Sequence, residues 1–247
     1  MFNKEELSEA IAKAVTDSAD HNFDASEMTW INRIESLRRT LCESSEAVEI
    51  IDYGAGSPEL QLTSEEMSQG RVHRLTIGEL CQNSSLASRW SQFLFKLALA
   101  LKPAVCLEMG TCLGVSTAYL GAALTMNNRG KILTLEGSAA LAAIAKRNLS
   151  ELEVEVTVCV GPFKDNLKHI LFMNAPIDFV FVDGHHDEQA TLSYFQQMIP
   201  YMSTGAVIVL DDIRWSAGMT RAWKQLCSHP RVFLSVDLGG MGVCGIQ

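Results

Sequence analysis

The 247-residue chain is 47% hydrophobic and 20% charged, enough apolar material for a sizeable core and too ordinary a balance for wholesale disorder. Its formal net charge of −9 argues against non-specific nucleic-acid binding, which relies on Lys and Arg to neutralise phosphates. No run approaches the roughly 20 apolar residues of a membrane helix. The start, with acids at Glu5 and Glu6, does not read as a secretory signal. Seven cysteines, at 42, 81, 106, 112, 159, 227 and 244, make no C-x-x-C pair. They read as small core residues of a reducing compartment, so the expectation is a cytoplasmic protein.

In chain order, residues 1 to about 48 read as helical and polar, with residues 30–45 as an amphipathic piece. From Asp52 to Gly70 the composition shifts to Gly, Ser, Pro and Glu, which predicts an irregular segment. Residues 84–102 read as a helix with a broad apolar face, ended by Pro103. An alternation comes next: strands over 104–110, 130–137, 154–161, 177–184 and 205–212, with helices over 115–126, 138–150, 163–173, 187–202 and 218–230. Residues 231–247 carry two apolar stretches around Gly239 and Gly240 and read as a hairpin. Short strands alternating with helices predict a mostly parallel α/β sheet with helices on both faces. The division expected is a helical or irregular extension over 1–84, a lid or a dimer segment, ahead of a ligand-binding domain over 85–247.

Ligands of such sheets bind beyond the carboxyl ends of the strands. That edge receives residues 108–114, Glu136, Gly161 to Asp165, Asp183 to His186, Asp211 and Asp212. Gly110 suits a turn closed to other residues, and Gly114 leaves room at a helix start whose N–H groups are free. The spacing is E-x-G-x-x-x-G and not the G-x-G-x-x-G of dinucleotide binders. Glu136, 28 residues past Glu108 at the end of the next strand, can accept both hydroxyls of a ribose. The rival glycine stretch after Asp52 has no convincing helix start behind it, and reads instead as a loop that closes over the site.

The stretches at 107–117, 133–138, 178–186 and 207–215 together resemble the class I S-adenosylmethionine-dependent methyltransferases, in the branch of catechol-type and related small-molecule O-methyltransferases. The resemblance covers about residues 85–247. It implies a Rossmann-like, seven-stranded sheet whose last two strands are the terminal hairpin. It also implies Glu108, Gly110 and Gly114 at the methionine end of the cofactor, with Thr111 and Ser116 adding hydrogen bonds. Glu136 would hold the ribose, Gly161 and Phe163 would stand beside the adenine, and Asp183 would lie next to the reaction centre.

Asp183, Asp211 and Asp212 can meet from adjacent strand ends, where three carboxylates repel unless a cation such as Mg²⁺ joins them. The family pattern has an asparagine where this chain has Asp212. The alternative is that Asp212 caps the next turn while Asp211 accepts backbone N–H groups. His186 stands where the catechol-type enzymes place a lysine. Neutral imidazole there can take a hydroxyl proton, and helix capping is the other reading. Trp215 reads equally as a wall of the acceptor pocket or as core.

The expectation is methyl transfer to a small-molecule acceptor, an oxygen, with no nucleic-acid or membrane partner and with the N-terminal helices as candidates for a homodimer contact. Three alternatives stand beside it: a metal-dependent hydrolase built on Asp183, His185, His186, Asp187, Asp211 and Asp212; a non-catalytic nucleoside-binding module; and a nucleic-acid methyltransferase, against which the net charge and the lack of a basic, aromatic-interleaved stripe count.

Overall fold

The computed structural model describes residues 2–56, 60 and 62–247. Two helices open the chain, α1 (Lys4–Ala19) and α2 (Ala25–Cys42). Each starts on a capping box, Asn3 with Glu6 and Asp24 with Glu27, which satisfies N–H groups that a helix end leaves free. Then come β1 (Ala47–Asp52), α3 (Ser64–Gln69), β2 (Arg71–Thr76), α4 (Ile77–Ser84) and α5 (Ser88–Leu101).

The irregular segment expected from Asp52 to Gly70 is therefore only partly irregular. β1 and β2 pair antiparallel from Ala47 with Thr76 to Asp52 with Arg71, making a two-stranded ribbon. The sequence hid it because the two strands lie far apart in the chain and bury little. The part of that expectation at residues 57–59 and 61 lies outside the described residues.

The alternation expected from residue 104 onward is present. β3 (Val105–Met109), α6 (Val115–Met126), β4 (Lys131–Glu136), α7 (Ala139–Glu151), β5 (Thr157–Val160), α8 (Phe163–Asn174), β6 (Ile177–Val182), α9 (Glu188–Met198), β7 (Met202–Leu210), α10 (Ala217–Cys227), β8 (Val232–Asp237) and β9 (Gly242–Ile246) succeed one another. The sheet has seven strands in the order β5-β4-β3-β6-β7-β9-β8. β5 to β7 run parallel, while β9 is antiparallel to both β7 and β8. Succession runs outward from β3 to β5 and then restarts at β6 on the other side of β3. That reversal opens a crevice between the ends of β3 and β6, the usual ligand position in an open α/β sheet.

One buried cluster joins the N-terminal helices to one face of the sheet, bringing Leu7, Ile11 and Ile34 together with Phe93, Phe95, Leu120 and Phe181. Residues 1–84 thus share a core with residues 85–247. Helix α6 is apolar all round and buried along almost its whole length, as a helix wedged between layers must be. The opposite face packs Leu167, Ile170, Phe195 and Trp223 over Val180 and Ile208.

A charged tie joins the first two helices to α5. Lys96 Nζ lies 2.9 Å from Glu27 and 3.2 Å from Asp17, and its side chain keeps only 14% of its exposure. Replacing Lys96 by Ala leaves Glu27 without its counter-ion, while Asp17 keeps Lys13 and Asn22, at a cost of about 3 kcal/mol. Thermal unfolding of Lys96→Ala should come roughly 6–12 °C below that of the parent protein, and an unchanged Tm would show that the tie carries little.

Candidate active site

β3 ends in an acid that points inward. Glu108 is completely buried. It accepts hydrogen bonds from Ser116 Oγ at 2.7 Å, from Thr134 Oγ1 at 2.6 Å and from Thr117 Oγ1. Thr111 Oγ1 lies 2.6 Å from Thr134 Oγ1 and extends the chain. Burial raises the Glu108 pKa above the carboxylate norm, and the three hydroxyls pull the other way. These bonds tie the end of β3 to the first turn of α6 and to β4.

Beyond Glu108 the chain leaves the strand at Gly110, with φ +109°, where a Cβ would stand 1.9 Å from the Asp183 carbonyl oxygen. Only glycine lets the turn lie this close to the end of β6. Gly110 and Thr111 donate backbone N–H groups to the Leu135 carbonyl. Cys112, with φ 48°, then turns its N–H onto Glu136 Oε2 at 2.8 Å. Ser138 N–H holds the other oxygen, Oε1, at 2.8 Å. Burial pushes the Glu136 carboxyl up to about 7, against the two N–H bonds.

A cavity of about 620 Å³ opens along this edge. Gly110, Cys112, Glu136, Gly137, Pro162 and Phe163 line one part of it. Asp183, His185, His186, Asp211, Asp212 and Trp215 line another. Four non-glycine residues on these walls, Cys112, His185, His186 and Asp212, hold positive φ, a strained conformation that collects at functional sites.

His186 sits between two acids, Nε2 at 3.8 Å from Asp183 Oδ1 and Nδ1 at 3.8 Å from Asp212 Oδ2. Burial lowers its pKa below the histidine norm, partly offset by Asp212 and Asp52, so the neutral ring is favoured at neutral pH. Asp183 is held well above the carboxylate norm by burial and then by Asp211 and Asp212, and Asp211 is pushed up to about 7 by burial and Asp212. His185 is pinned, with Nδ1 2.8 Å from the Tyr194 hydroxyl.

The residues singled out in the sequence thus divide by place. Gly110, Glu136, Phe163, Asp183, His186, Asp211 and Asp212 meet on the cavity wall. Thr111 and Ser116 border a recess of about 30 Å³ beside it. Gly161 spends its N–H on the Glu136 carbonyl, under the wall. Two readings need correction. The Glu108 carboxylate is spent on its hydroxyl partners and is not on the cavity wall. The face left bare at Gly114 points at Ala145 and Leu149, 3.3 Å from a Cβ there, so it serves the packing of α7 and not a ligand.

Asp183, Asp211 and Asp212 share one end of the cavity, yet the imidazole stands between Asp183 and Asp212. Among the described residues no group of three His, Cys, Asp or Glu is placed to hold a metal ion. This arrangement does not fit a cation site, and it gives the metal-dependent hydrolase no support.

Several wall residues had no motif to announce them. Asp52 and His73 come from the ribbon, Tyr53 and Gly54 from the chain just after β1, Ser84 from the end of α4, Ser85 to Ala87 from the turn before α5, and Trp90 from α5. His73 lines the cavity as well. Tyr53 lies over Gly137, where a Cβ would meet its ring at 2.6 Å. Ala55 N–H donates to the His185 carbonyl at 2.9 Å, fastening the chain after β1 onto the histidine turn. Tyr53 to Gly56 therefore border the cavity.

Residues 107–213 match the family described as methyltransferase domain. Over these residues the chain is similar to methyltransferases. It is 34% identical to a catechol O-methyltransferase of Mycobacterium tuberculosis over 137 residues, 55% of this chain and 60% of that protein. The chain spans about three fifths of the length of the curated relatives it matches. An O-methyltransferase from Bacillus cereus, solved in complex with SAH, is similar at a TM-score of 0.58 and 26% identity, over 67% of this chain and 84% of that one. A Podospora anserina methyltransferase, solved SAH-bound, covers 100% of this chain and 97% of its own at a TM-score of 0.62, with 16% identity, a likeness of fold. No helix among the described residues is long and apolar enough to cross a membrane.

Glu108 ties the end of β3 to α6 and β4. Glu108→Ala removes the acceptor of three buried hydroxyls and leaves a void, which should cost about 3–5 kcal/mol. A Tm lowered by roughly 6–15 °C is the expected result, and Glu108→Gln should recover part of it. A stable Glu108→Ala protein would show that the hydroxyls find other partners.

Proposed function

We propose that this chain binds S-adenosylmethionine in the 620 Å³ cavity and transfers its methyl group to an oxygen of a small-molecule acceptor. The observation that carries the reading is Glu136. Its carboxylate stands at the end of the strand next to the glycine turn, aimed by two backbone N–H groups and bordering the cavity. That placement suits a pair of vicinal ribose hydroxyls. The cofactor, when bound, supplies an electrophilic methyl group on a sulfonium.

Gly110 leaves the turn bare where the methionine end approaches, with the Thr111 and Ser116 recess beside it. Pro162 and Phe163 flank the adenine, and Tyr53 over Gly137 walls the sugar. Asp183 faces the cofactor's amino group and the reaction centre. His186, neutral and held between Asp183 and Asp212, takes the acceptor's hydroxyl proton as the oxygen attacks. Alignment of acceptor oxygen, methyl and sulfur supplies most of the rate, and the wall residues set it. Magnesium has no part in this reading, because the His186 ring stands between Asp183 and Asp212.

Calorimetric titration with S-adenosylhomocysteine tests the nucleoside half. Binding in the micromolar range is expected. Glu136→Ala should weaken it at least about tenfold, a typical loss for charge-assisted hydrogen bonds; equal affinity would place the ribose elsewhere. The sign of the pH dependence comes from the carboxyl being pushed up to about 7 in the free protein. The ionised form accepts both hydroxyls, so affinity should rise roughly three- to tenfold from pH ~6 to ~8. Glu136→Gln should flatten that rise.

His186→Ala tests the reaction half. Catechol is the trial acceptor, after the name of the M. tuberculosis relative. Turnover should fall about 10²- to 10⁴-fold, with S-adenosylhomocysteine affinity within about twofold. Undiminished turnover would remove His186 as the base.

A further inference from the structure

Two thiols far from the cavity's chemistry stand in unusual proximity. Cys42 is the last residue of α2 and Cys81 lies in α4. Their Sγ atoms are 2.7 Å apart, although the residues are 39 positions apart in the chain. Both are free cysteines, Cys42 half-buried and Cys81 buried. The gap is within about 0.7 Å of a disulfide bond length.

The backbones around them are already clamped. Gly78 N–H donates to the Ser44 carbonyl at 3.0 Å, and a Cβ on Gly78 would meet the Cys42 carbonyl oxygen at 2.9 Å. Gln82 Nε2 donates to that same Cys42 carbonyl at 3.0 Å. Joining the sulfurs therefore asks for side-chain adjustment and little main-chain movement.

The segment between the two cysteines is the cavity's outer wall. It contains the ribbon, and Ile50 to Gly56, Met67, Ser68, His73 and Leu75 all line the cavity. Leu80, Asn83 and Ser84 of α4 line it as well.

We propose that Cys42 and Cys81 form a reversible disulfide, with a low-molecular-weight disulfide as the oxidant, and that this bond fastens the cavity-covering segment to α2. Cys42, the more accessible thiol, attacks the oxidant as its thiolate, forming a mixed disulfide and releasing one thiol. Cys81 then attacks the Cys42 sulfur, forming the internal S–S bond and releasing the second thiol. Two cysteine thiols lose two protons and two electrons, and one small disulfide becomes two thiols. Burial and the neighbouring sulfur push the Cys81 thiol up to about 12, so the second step is slow at neutral pH and faster in mild base. The bond turns residues 42–81 into a closed loop, which restricts the unfolded chain. The proposal is independent of the methyl-transfer reading.

The test incubates the full chain with oxidised glutathione at pH ~8.5, near the ordinary thiol pKa, then digests it without reduction. A peptide pair joined through Cys42 and Cys81 is expected, together with a Tm raised by roughly 5–10 °C and restored by dithiothreitol. Cys42→Ser and Cys81→Ala, each made alone, should lose both signals. Glutathione left on Cys42 with no internal bond would overturn the proposal, as would a link confined to Cys227 and Cys244. A Cys42–Cys81 link without a Tm change would overturn the fastening role.

Discussion

One buried carboxylate sets the geometry of the site without touching its contents. Glu108 accepts from hydroxyls on α6 and β4 and so fixes where β3 stops and α6 starts. An acid in that position is expensive unless its oxygens are satisfied, and here Ser116, Thr117 and Thr134 satisfy them. The turn between the two fixed ends has little freedom left. Gly110 passes under the Asp183 carbonyl, and Cys112 is driven into a left-handed conformation that aims its N–H at Glu136. The orientation of Glu136, a carboxylate on the cavity wall, thus depends on a residue that does not line the cavity.

The second constraint is closure. The sheet edge provides a floor, and the ribbon and the start of α5 provide the cover. The cover is tied down by the Ala55 N–H on the His185 carbonyl, the Ile51 N–H on Ser138 Oγ, Lys164 on Ser68, the Tyr53 ring against Gly137 and the packing of β1 on α7. Asp52 is braced from beside it by Arg71 at 2.9 Å. Such a cover, with a short ribbon and few buried apolar side chains, belongs to the low-stability end of a fold, the end from which ligand-binding lids are drawn. Its contact with the histidine turn couples the position of the cover to the position of His186, the neighbour of His185.

How much of this the sequence announces depends on the range of the interactions. The parallel sheet was legible because each buried strand is an apolar run bounded by its own turn, and the acids at strand ends were legible because they interrupt those runs. Glu136 could be placed on the edge from local pattern alone. Glu108 has the same local signature, and its different role depends on Thr134, 26 positions away, which no spacing rule singles out. The bare face of Gly114 was legible as a need for glycine, but the partner, Leu149, was not. The ribbon left the weakest trace, since β1 and β2 have mixed, mostly exposed faces and pair across an 18-residue gap that holds one short helix among the described residues. Tyr53 and His73 were invisible as wall residues for the same reason.

The acids at the far end of the cavity have a consequence for any ligand that enters. Asp183, Asp211 and Asp212 stand at neighbouring strand ends, and burial and mutual repulsion hold Asp183 and Asp211 above their ordinary range. A group with positive charge that arrives there relieves that repulsion, and a neutral one does not. Under the proposed reaction the reacting sulfur is positive before transfer and neutral after it. Under that reading a positive sulfur beside this wall would be favoured over a neutral one. His186 stands between Asp183 and Asp212 and separates those two acids.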